Sequence, residues 1–327
     1  MTTNMVQKNK IDITYKKHPC NESKSLLVSV IINCFDSDRY LRHAINSVIS
    51  QTYSNWEIIF WDNQSTDKSA EIVKSYNDDR IRYFYAPVHT ALGEGRNLAL
   101  QKAKGEYVSF LDCDDWYTPD RIEKTLKGFT GRKIGLVYTN GYTYMEDKDQ
   151  LKVFYKKNQP TGLVLNAWLE SYNVMIPSVM FRRDLIEKFD ISFDKNFSMI
   201  EEYDFFLKIG LYSSVNYCSD RLCFWRMHKD SLTWKNHDNF EVELRALYSR
   251  LSHQNLRQRI SSNSLLKLRS RIAYKEFMNA FCLEGQFKRG LIVPYLNVDN
   301  RLYLILAITF FGKFFFILIM KYLGKIL

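Results

Sequence analysis

The sequence lacks the cysteine patterns of a metal-binding or disulfide-rich protein. Its 327 residues include six cysteines, but none forms a Cys-x-x-Cys pair or has histidine partners at zinc-site spacing. We therefore interpret them as reduced thiols of a cytosolic protein. Internal repeats are also absent, and residues 1–24 are polar, without the apolar stretch of a secretory signal. These absences exclude a disulfide scaffold and a repeat array, and they predict a globular protein with a flexible N-terminal arm.

The charge is also unevenly distributed along the sequence. The net charge is +10, with 18 Lys and Arg against 7 Asp and Glu between Arg221 and Leu327, and 28 against 29 in the remainder. The positive excess therefore belongs to the C-terminal third. A basic surface can contact nucleic acid or anionic lipid, and the apolar tail that follows favours lipid.

Short apolar runs alternate with helical patterns through the first third of the chain. Strands are predicted at residues 26–32, 56–61, 81–85 and 106–111, and helices at 40–49, 69–76 and 98–103. This order predicts an α/β fold with a mostly parallel sheet. Further strands are predicted at 134–138, 151–155 and 176–181, the last at a sheet edge because it contains Pro177.

Three polar loops follow the predicted strands, at residues 33–37, 62–67 and 112–115. Ligands of open α/β sheets bind outside the carboxyl ends of the strands, so the loops should converge on a nucleotide-sized site. Asp112 and Asp114 are two residues apart, which places them on one side of an extended segment. Paired carboxylates suit a hard divalent cation. The alternative is a solvated acidic turn, because Asp is common where strands end.

The order of these motifs resembles that of family 2 glycosyltransferases. The resemblance rests on Val-Ser-Val-Ile-Ile at 28–32, Asp-Asn-Gln-Ser-Thr-Asp at 62–67, Arg-Asn at 96–97 and Leu-Asp-Cys-Asp-Asp at 111–115. It extends over about residues 26 to 233. It implies the GT-A fold (a Rossmann-like mixed, mostly parallel sheet flanked by helices), a nucleotide-sugar donor and Mg2+ or Mn2+ as cofactor.

The resemblance also implies roles for individual residues. The nucleotide-sugar contacts would be Phe35, Asp36, Asp62, Asn63, Arg96, Asp112 and Arg226, and the metal ligands Asp112, Asp114 and His228. Asn63 departs from the family's frequent second Asp, which leaves UDP- and dTDP-sugars both open as donors. Arg96 has the alternative of a surface residue on a flexible turn, and His228 that of a structural histidine. Two roles remain open for Asp115: a supporting position behind the metal, or the cap of a helix.

A second acidic stretch lies on a predicted helix at residues 200–209. Glu201 and Glu202 point about 100° apart on such a helix, so they cannot share one role. The resemblance makes Glu202 the general base, although the family usually has Asp there. The alternative is a helix N-terminus enriched in acids by the macrodipole.

The C-terminal part is expected to associate with a membrane. Residues 236–300 read as a basic helical extension, either at a membrane surface or packed on the catalytic domain at 25–235. Residues 301–327 form an apolar tail whose run at 302–320 contains a single charge, Lys313. Three structures are open for this run: a helix that lies in the membrane interface, a helix that spans the membrane, and a helix in the protein core.

The resulting prediction is a metal-dependent, inverting glycosyltransferase on the cytoplasmic face of the cell membrane. It would act on a glycan or polyprenyl-linked acceptor in bacterial surface-polysaccharide synthesis. An inactive nucleotide-sugar-binding scaffold on the same fold is the main alternative. Nucleic acid is not an expected partner, because the C-terminal aromatics lie in an apolar tail instead of among exposed basic residues.

Overall fold

A computed structural model describes residues 26–229, 239–253, 259–282 and 286–309. The strands of these residues are β1 (Val28–Cys34), β2 (Trp56–Asp62), β3 (Ile81–Tyr85), β4 (Tyr107–Phe110), β5 (Trp116–Tyr117), β6 (Ile134–Met145), β7 (Gln150–Val153), β8 (Val179–Arg182) and β9 (Ser214–Met227). The helices are α1 (Asp38–Ile49), α2 (Ser69–Lys74), α3 (Leu92–Leu100), α4 (Arg121–Lys127), α5 (Leu165–Glu170), α6 (Asp184–Phe189), α7 (Glu201–Tyr212), α8 (Asn239–His253), α9 (Ser262–Cys282) and α10 (Arg301–Ile308).

The strands form one mixed sheet in the order β3-β2-β1-β4-β8-β6-β9-β5, with β7 paired to β6. Its first part is parallel: β1 pairs with β2 on one side and with β4 on the other. β1 and β2 are buried along almost their whole length, as expected for strands covered on both faces. The predicted α/β class and the parallel first part of the sheet are therefore confirmed.

The second part of the sheet differs from the prediction at Pro177. β8 lies inside the sheet, antiparallel to both β4 and β6, so it is not an edge strand. Pro177 precedes β8 in a 3-10 turn at Ile176–Ser178. Its missing N–H therefore removes no hydrogen bond from the ladder, which explains how an internal strand tolerates it. The edge-strand prediction was wrong.

The two helical layers bury opposite faces of the sheet. Leu41, Ala44 and Ile45 of α1 pack on one face together with Ile72 of α2. A larger core on the other face contains α5, α7, α8 and α9. α7, which begins with Glu201 and Glu202, is buried over most of its length in that core.

The C-terminal helices complete the large core. Leu247 and Leu251 of α8 and Leu268 and Ile272 of α9 are buried in it, so these helices pack on the catalytic part of the chain. In the described parts of the chain, no helix is both long and apolar enough to cross a membrane. The predicted tail begins with α10, and its residues 310–327 lie outside the described residues, as does the arm at 1–24.

Candidate active site

The three polar loops meet at the carboxyl ends of β1, β2 and β4. The backbone N–H of Asn63 donates to the carbonyl of Cys34 (2.8 Å), and the thiol of Cys113 donates to the carbonyl of Asn33 (3.2 Å). Asp36 accepts a hydrogen bond from the N–H of Thr66 at 2.7 Å. The predicted convergence is confirmed, and it follows from the parallel pairing of the strands.

The residues expected at the nucleobase fall into two groups. Asp62 and Asn63 are buried and bonded within the protein: Asp62 accepts from the Tyr83 hydroxyl (2.6 Å), and Asn63 binds both the N–H and the carbonyl of Thr90. Both residues thus hold the loops in place. Phe35, by contrast, is 50% exposed and packs edge-on against His89 at 4.4 Å. The exposed part of its ring offers a surface on which a base can stack.

Arg96 lies at the centre of the site and is only 1% exposed. One guanidinium nitrogen lies 3.0 Å from Glu202 and 3.5 Å from Glu201, and the other lies 3.0 Å from Asp112. Arg96 lies on α3, and α3 packs closely against β1. A Cβ atom added at Gly95 would lie only 3.1 Å from Nδ2 of Asn33. The surface-turn interpretation of Arg96 was therefore wrong.

The two acids at the start of α7 have different surroundings. The side chain of Glu202 is 30% exposed, whereas that of Glu201 is 7% exposed. Burial raises the pKa of Glu202 to about 7, with Arg96 opposing the shift and the charges of Glu201 and Asp112 adding to it. A carboxyl group with a pKa near neutrality that faces an opening is suited to general-base catalysis. Glu201 is instead enclosed beside Arg96.

Asp114 and His228 form the second reactive pair, with Nε2 of His228 2.9 Å from Oδ2 of Asp114. Burial and the neighbouring charge of Asp112 raise the pKa of Asp114. A carboxylate and an imidazole side by side fit a divalent cation that takes its other ligands from water and phosphate. In the described residues, however, no three His, Cys, Asp or Glu side chains cluster around one metal position. One oxygen of Asp112 is paired with Arg96, and its role as a metal ligand stays a prediction.

Asp115 is hydrogen-bonded to the backbone of β9. One of its oxygens accepts from the backbone N–H of Arg226 (2.8 Å), and the other has no partner among the described groups. Burial, together with the charges of Asp114 and Asp112, raises its pKa well above the usual range. Of the two roles left open for Asp115, this is the supporting one, since it caps no helix.

Arg226 is buried and fully engaged by the protein. Its guanidinium lies over the rings of Tyr40 and Trp116 (4.3 and 4.7 Å) and donates to the carbonyl of Asp114 and to Glu146. A phosphate that binds Arg226 would have to replace Glu146. Glu146 lies in the turn that connects β6 and β7. The sequence does not predict its contact with Arg226, because only the pairing of β6 with β9 brings the two residues together.

Comparisons with known proteins show which family the chain resembles. Residues 29–189 match the family model for glycosyl transferase family 2. An uncharacterized glycosyltransferase of Rickettsia typhi is 32% identical over 236 residues, which cover 69% of this chain and 71% of that protein. TuaG from Bacillus subtilis, named a putative teichuronic acid biosynthesis glycosyltransferase, is 33% identical over 48% of this chain and 63% of its own length.

Another relative carries a more detailed name. It is the Escherichia coli UDP-Glc:alpha-D-GlcNAc-diphosphoundecaprenol beta-1,3-glucosyltransferase WfgD, 25% identical over 58% of this chain and 71% of its own length. Among solved structures, S. aureus TarS 1-349 in complex with UDP-GlcNAc matches with a TM-score of 0.64 and 18% identity over 85% of this chain and 83% of that one. The mannosyltransferase PcManGT of Pyrobaculum calidifontis, in complex with GDP-Man and Mn2+, matches with a TM-score of 0.57 and 16% identity over 91% and 88%.

The fold and the site thus define a glycosyltransferase of the GT-A type. The chain belongs to glycosyl transferase family 2, as its motifs had indicated.

Proposed function

We propose that this protein is an inverting glycosyltransferase that moves a sugar from a nucleotide-diphospho-sugar to a hydroxyl group of a glycan or lipid-linked acceptor. The observation that carries the proposal is the arginine-centred network in which Arg96 holds Glu202 on one side and Asp112 on the other. It fixes a partly exposed carboxylate of raised pKa next to Asp112, which belongs to one of the three polar loops.

The reaction needs one displacement. Glu202 takes the proton of the acceptor hydroxyl, which attacks the anomeric carbon on the face opposite the leaving nucleotide and so inverts the configuration. Arg96 keeps the Glu202 carboxylate in place and favours its charged form. A second carboxylate nucleophile is not required, unlike in a retaining hydrolase.

Asp114 and His228 are the residues that would hold a divalent cation, and Mg2+ or Mn2+ fits their oxygen and nitrogen donors. When bound, such an ion supplies positive charge that stabilises the departing diphosphate. Phe35 offers its exposed ring to the base. The PcManGT complex with Mn2+ supports the assignment by fold analogy.

The acceptor and the cellular location are inferred from other features. The names of TuaG and WfgD support a role in bacterial surface-polysaccharide synthesis with a polyprenyl-linked acceptor. Such an acceptor lies in the membrane, so we place the protein on its cytoplasmic face. The basic C-terminal third and the apolar run at 302–320 support this location.

The test is nucleotide release from a panel of UDP-, dTDP- and GDP-sugars. Purified protein is incubated with Mg2+ or Mn2+ and with a bacterial lipid extract as acceptor source. Release with one donor, abolished by EDTA, by Asp114→Ala and by Glu202→Gln but not by the surface variant Glu71→Gln, is the expected result. Release that persists in Glu202→Gln would remove Glu202 as the base. Donor binding without release in the presence of a competent acceptor would favour the inactive scaffold.

A further inference from the structure

A basic cleft lies beside the β6–β7 hairpin, away from the nucleotide loops. We use this name for the cleft formed by Lys152, Lys156, Lys157 and Arg221. It consists of two adjoining cavities of about 580 and 570 Å3 that share Tyr155, Lys156 and Arg221 in their walls. Both cavities are open to solvent, so a small anionic ligand has free access to the cations that line them.

The charges of the basic cleft are not neutralised within the described residues. All four side chains belong to exposed residues, and none of them forms an ion pair in that part of the chain. Asp220, the neighbour of Arg221, lies 3.2 Å from Lys124 instead. Cations of one sign that line a concave surface create a potential that concentrates anions.

The floor of the basic cleft is rigid. The side-chain amide of Asn140 donates to the carbonyl of Tyr155 (3.0 Å), and its oxygen accepts from the Tyr155 N–H (2.9 Å). The Tyr155 hydroxyl donates to the carbonyl of Asn173, and both Asn140 and Tyr155 are buried. The lysines that follow Tyr155 therefore start from a fixed backbone, which reduces the ordering cost of binding an anion.

The basic cleft is connected to the active site by β9. Arg221 and Arg226 lie five residues apart on this strand, a separation of roughly 15 Å. Between them runs a row of rings: Arg221 lies over Tyr142 (5.7 Å), Tyr142 stacks on Phe224 (5.1 Å), Phe224 on Trp116 (4.7 Å), and Trp116 contacts Arg226. A ligand with an anionic group in the cleft can thus extend along β9 towards the donor site.

We propose that the basic cleft binds a phosphate or diphosphate ester of the acceptor, while the acceptor's sugar hydroxyl reaches Glu202. This inference rests on the proposed function, because it assigns the acceptor's anionic end to a site of its own. β9 links the two regions, because it carries Arg221 of the cleft and Arg226, which donates to the carbonyl of Asp114 in the donor site. Lysine and arginine donors match phosphate oxygens, and Arg221 can bind two of them at once.

Two other ligands fit the cleft less well. Single-stranded nucleic acid needs exposed ring faces for base stacking, whereas Tyr155 is buried and packs edge-on against Tyr217 at 5.8 Å. A membrane surface is broad, whereas these four cations are confined to one cleft beside the β6–β7 hairpin. A discrete phosphate group matches both the shape and the charge.

The first experiment measures binding of inorganic pyrophosphate to the full chain by calorimetry, in EDTA so that metal-assisted binding at the donor site is removed. The double variant Lys156→Ala/Arg221→Ala should weaken binding at least about tenfold, since two charged hydrogen-bond donors are lost. The matched control Lys133→Ala/Lys195→Ala removes the same charge from exposed lysines elsewhere and should bind as the wild type does. Absence of pyrophosphate binding, or equal affinity in the cleft variant and the control, would overturn the proposal.

Competition then identifies the source of the phosphate. Displacement of pyrophosphate by a polyprenyl diphosphate in detergent indicates a lipid-linked acceptor, and displacement by poly(glycerol phosphate) indicates a phosphate polymer. Binding to phosphatidylglycerol vesicles that is lost in the cleft variant, with no pyrophosphate binding, would replace the acceptor by the membrane. These measurements require no turnover, so a failure of the transferase assay leaves their result intact.

Discussion

At the scale of single residues, the candidate site is organised by one buried cation among carboxylates. Arg96 contacts Glu202, Glu201 and Asp112, while Asp114 pairs separately with His228. A buried arginine with several acidic partners is costly to disturb, since removing any charge leaves another uncompensated. The position of the base and the state of its proton therefore both depend on Arg96.

Arg96→Lys tests this dependence. Lysine keeps the charge, but it lacks the planar fork that reaches Glu202 and Asp112 together. We expect kcat/KM to fall roughly 100-fold, as for a misplaced catalytic group. The midpoint of the pH profile should also rise above that of the wild type, because Arg96 lowers the pKa of Glu202.

The control for Arg96→Lys is Arg82→Lys, which alters an arginine paired with Glu57 outside the site (2.7 Å). It should change neither kcat/KM nor the pH midpoint. An unchanged midpoint in Arg96→Lys would show that Arg96 is structural and does not tune the base.

Glu202→Gln gives a second prediction, on stability. The folded protein raises the pKa of Glu202 from 4.5 to about 7, so between these values it binds the proton more tightly than the unfolded chain does. The wild type therefore loses stability as pH rises from about 4.5 to 7. Glutamine does not ionise, so the Tm of the variant minus that of the wild type should increase through this window and level off above it. A difference that is flat with pH would contradict the raised pKa of Glu202.

At the scale of elements, the start of α7 is held by a residue of α8. Glu243 is buried, and its two oxygens accept hydrogen bonds from the backbone N–H groups of Ser198, Met199 and Ile200. These groups immediately precede the helix that carries Glu201 and Glu202. A carboxylate at a helix N-terminus satisfies free donors and interacts favourably with the helix dipole.

Glu243→Gln should therefore reduce both stability and activity. The amide has one acceptor oxygen in place of two, so at least one of the three N–H groups loses its partner, at a cost of about 1–3 kcal/mol where it is the buried N–H of Ile200. Thermal unfolding should show the loss of stability, and kcat should fall with little change in the KM for donor. Glu187→Gln, on an exposed side chain, is the control and should match the wild type. Wild-type kcat in Glu243→Gln would show that Glu202 is positioned without this cap.

The elements differ in how well the sequence predicts them. β1, β2 and β3 are short runs in which most residues are apolar or aromatic, so their types and approximate bounds follow from pattern alone. α3 begins at Leu92, earlier than the predicted residue 98, because Gly93 and Gly95 obscure the helical pattern while allowing close packing. The burial of Arg96 and the cap by Glu243 depend on contacts between distant segments, which no local pattern encodes.

At the scale of the whole molecule, the C-terminal helices are packed against the catalytic part of the chain. α8 and α9 close the large core, and α10 packs Leu302 and Ile305 against Phe277 and Phe281 of α9. The basic charge of α8 and α9 therefore lies on helices whose core-facing apolar side chains are already buried, whereas Leu304 of α10 is 57% exposed. We propose that membrane association comes from the apolar run at 302–320, of which α10 is the beginning.

Removal of residues 310–327 tests this division of roles. The deleted segment contains most of the apolar run at 302–320 together with Lys321 and Lys325, which suit anionic headgroups. The truncated chain keeps Leu302 and Ile305, so we expect an unchanged Tm and unchanged activity on a water-soluble acceptor. Its cosedimentation with phosphatidylglycerol vesicles should fall to the level seen with neutral phosphatidylcholine vesicles. Undiminished cosedimentation would assign membrane binding to the basic surface of the remaining chain, because that surface is the same in both proteins.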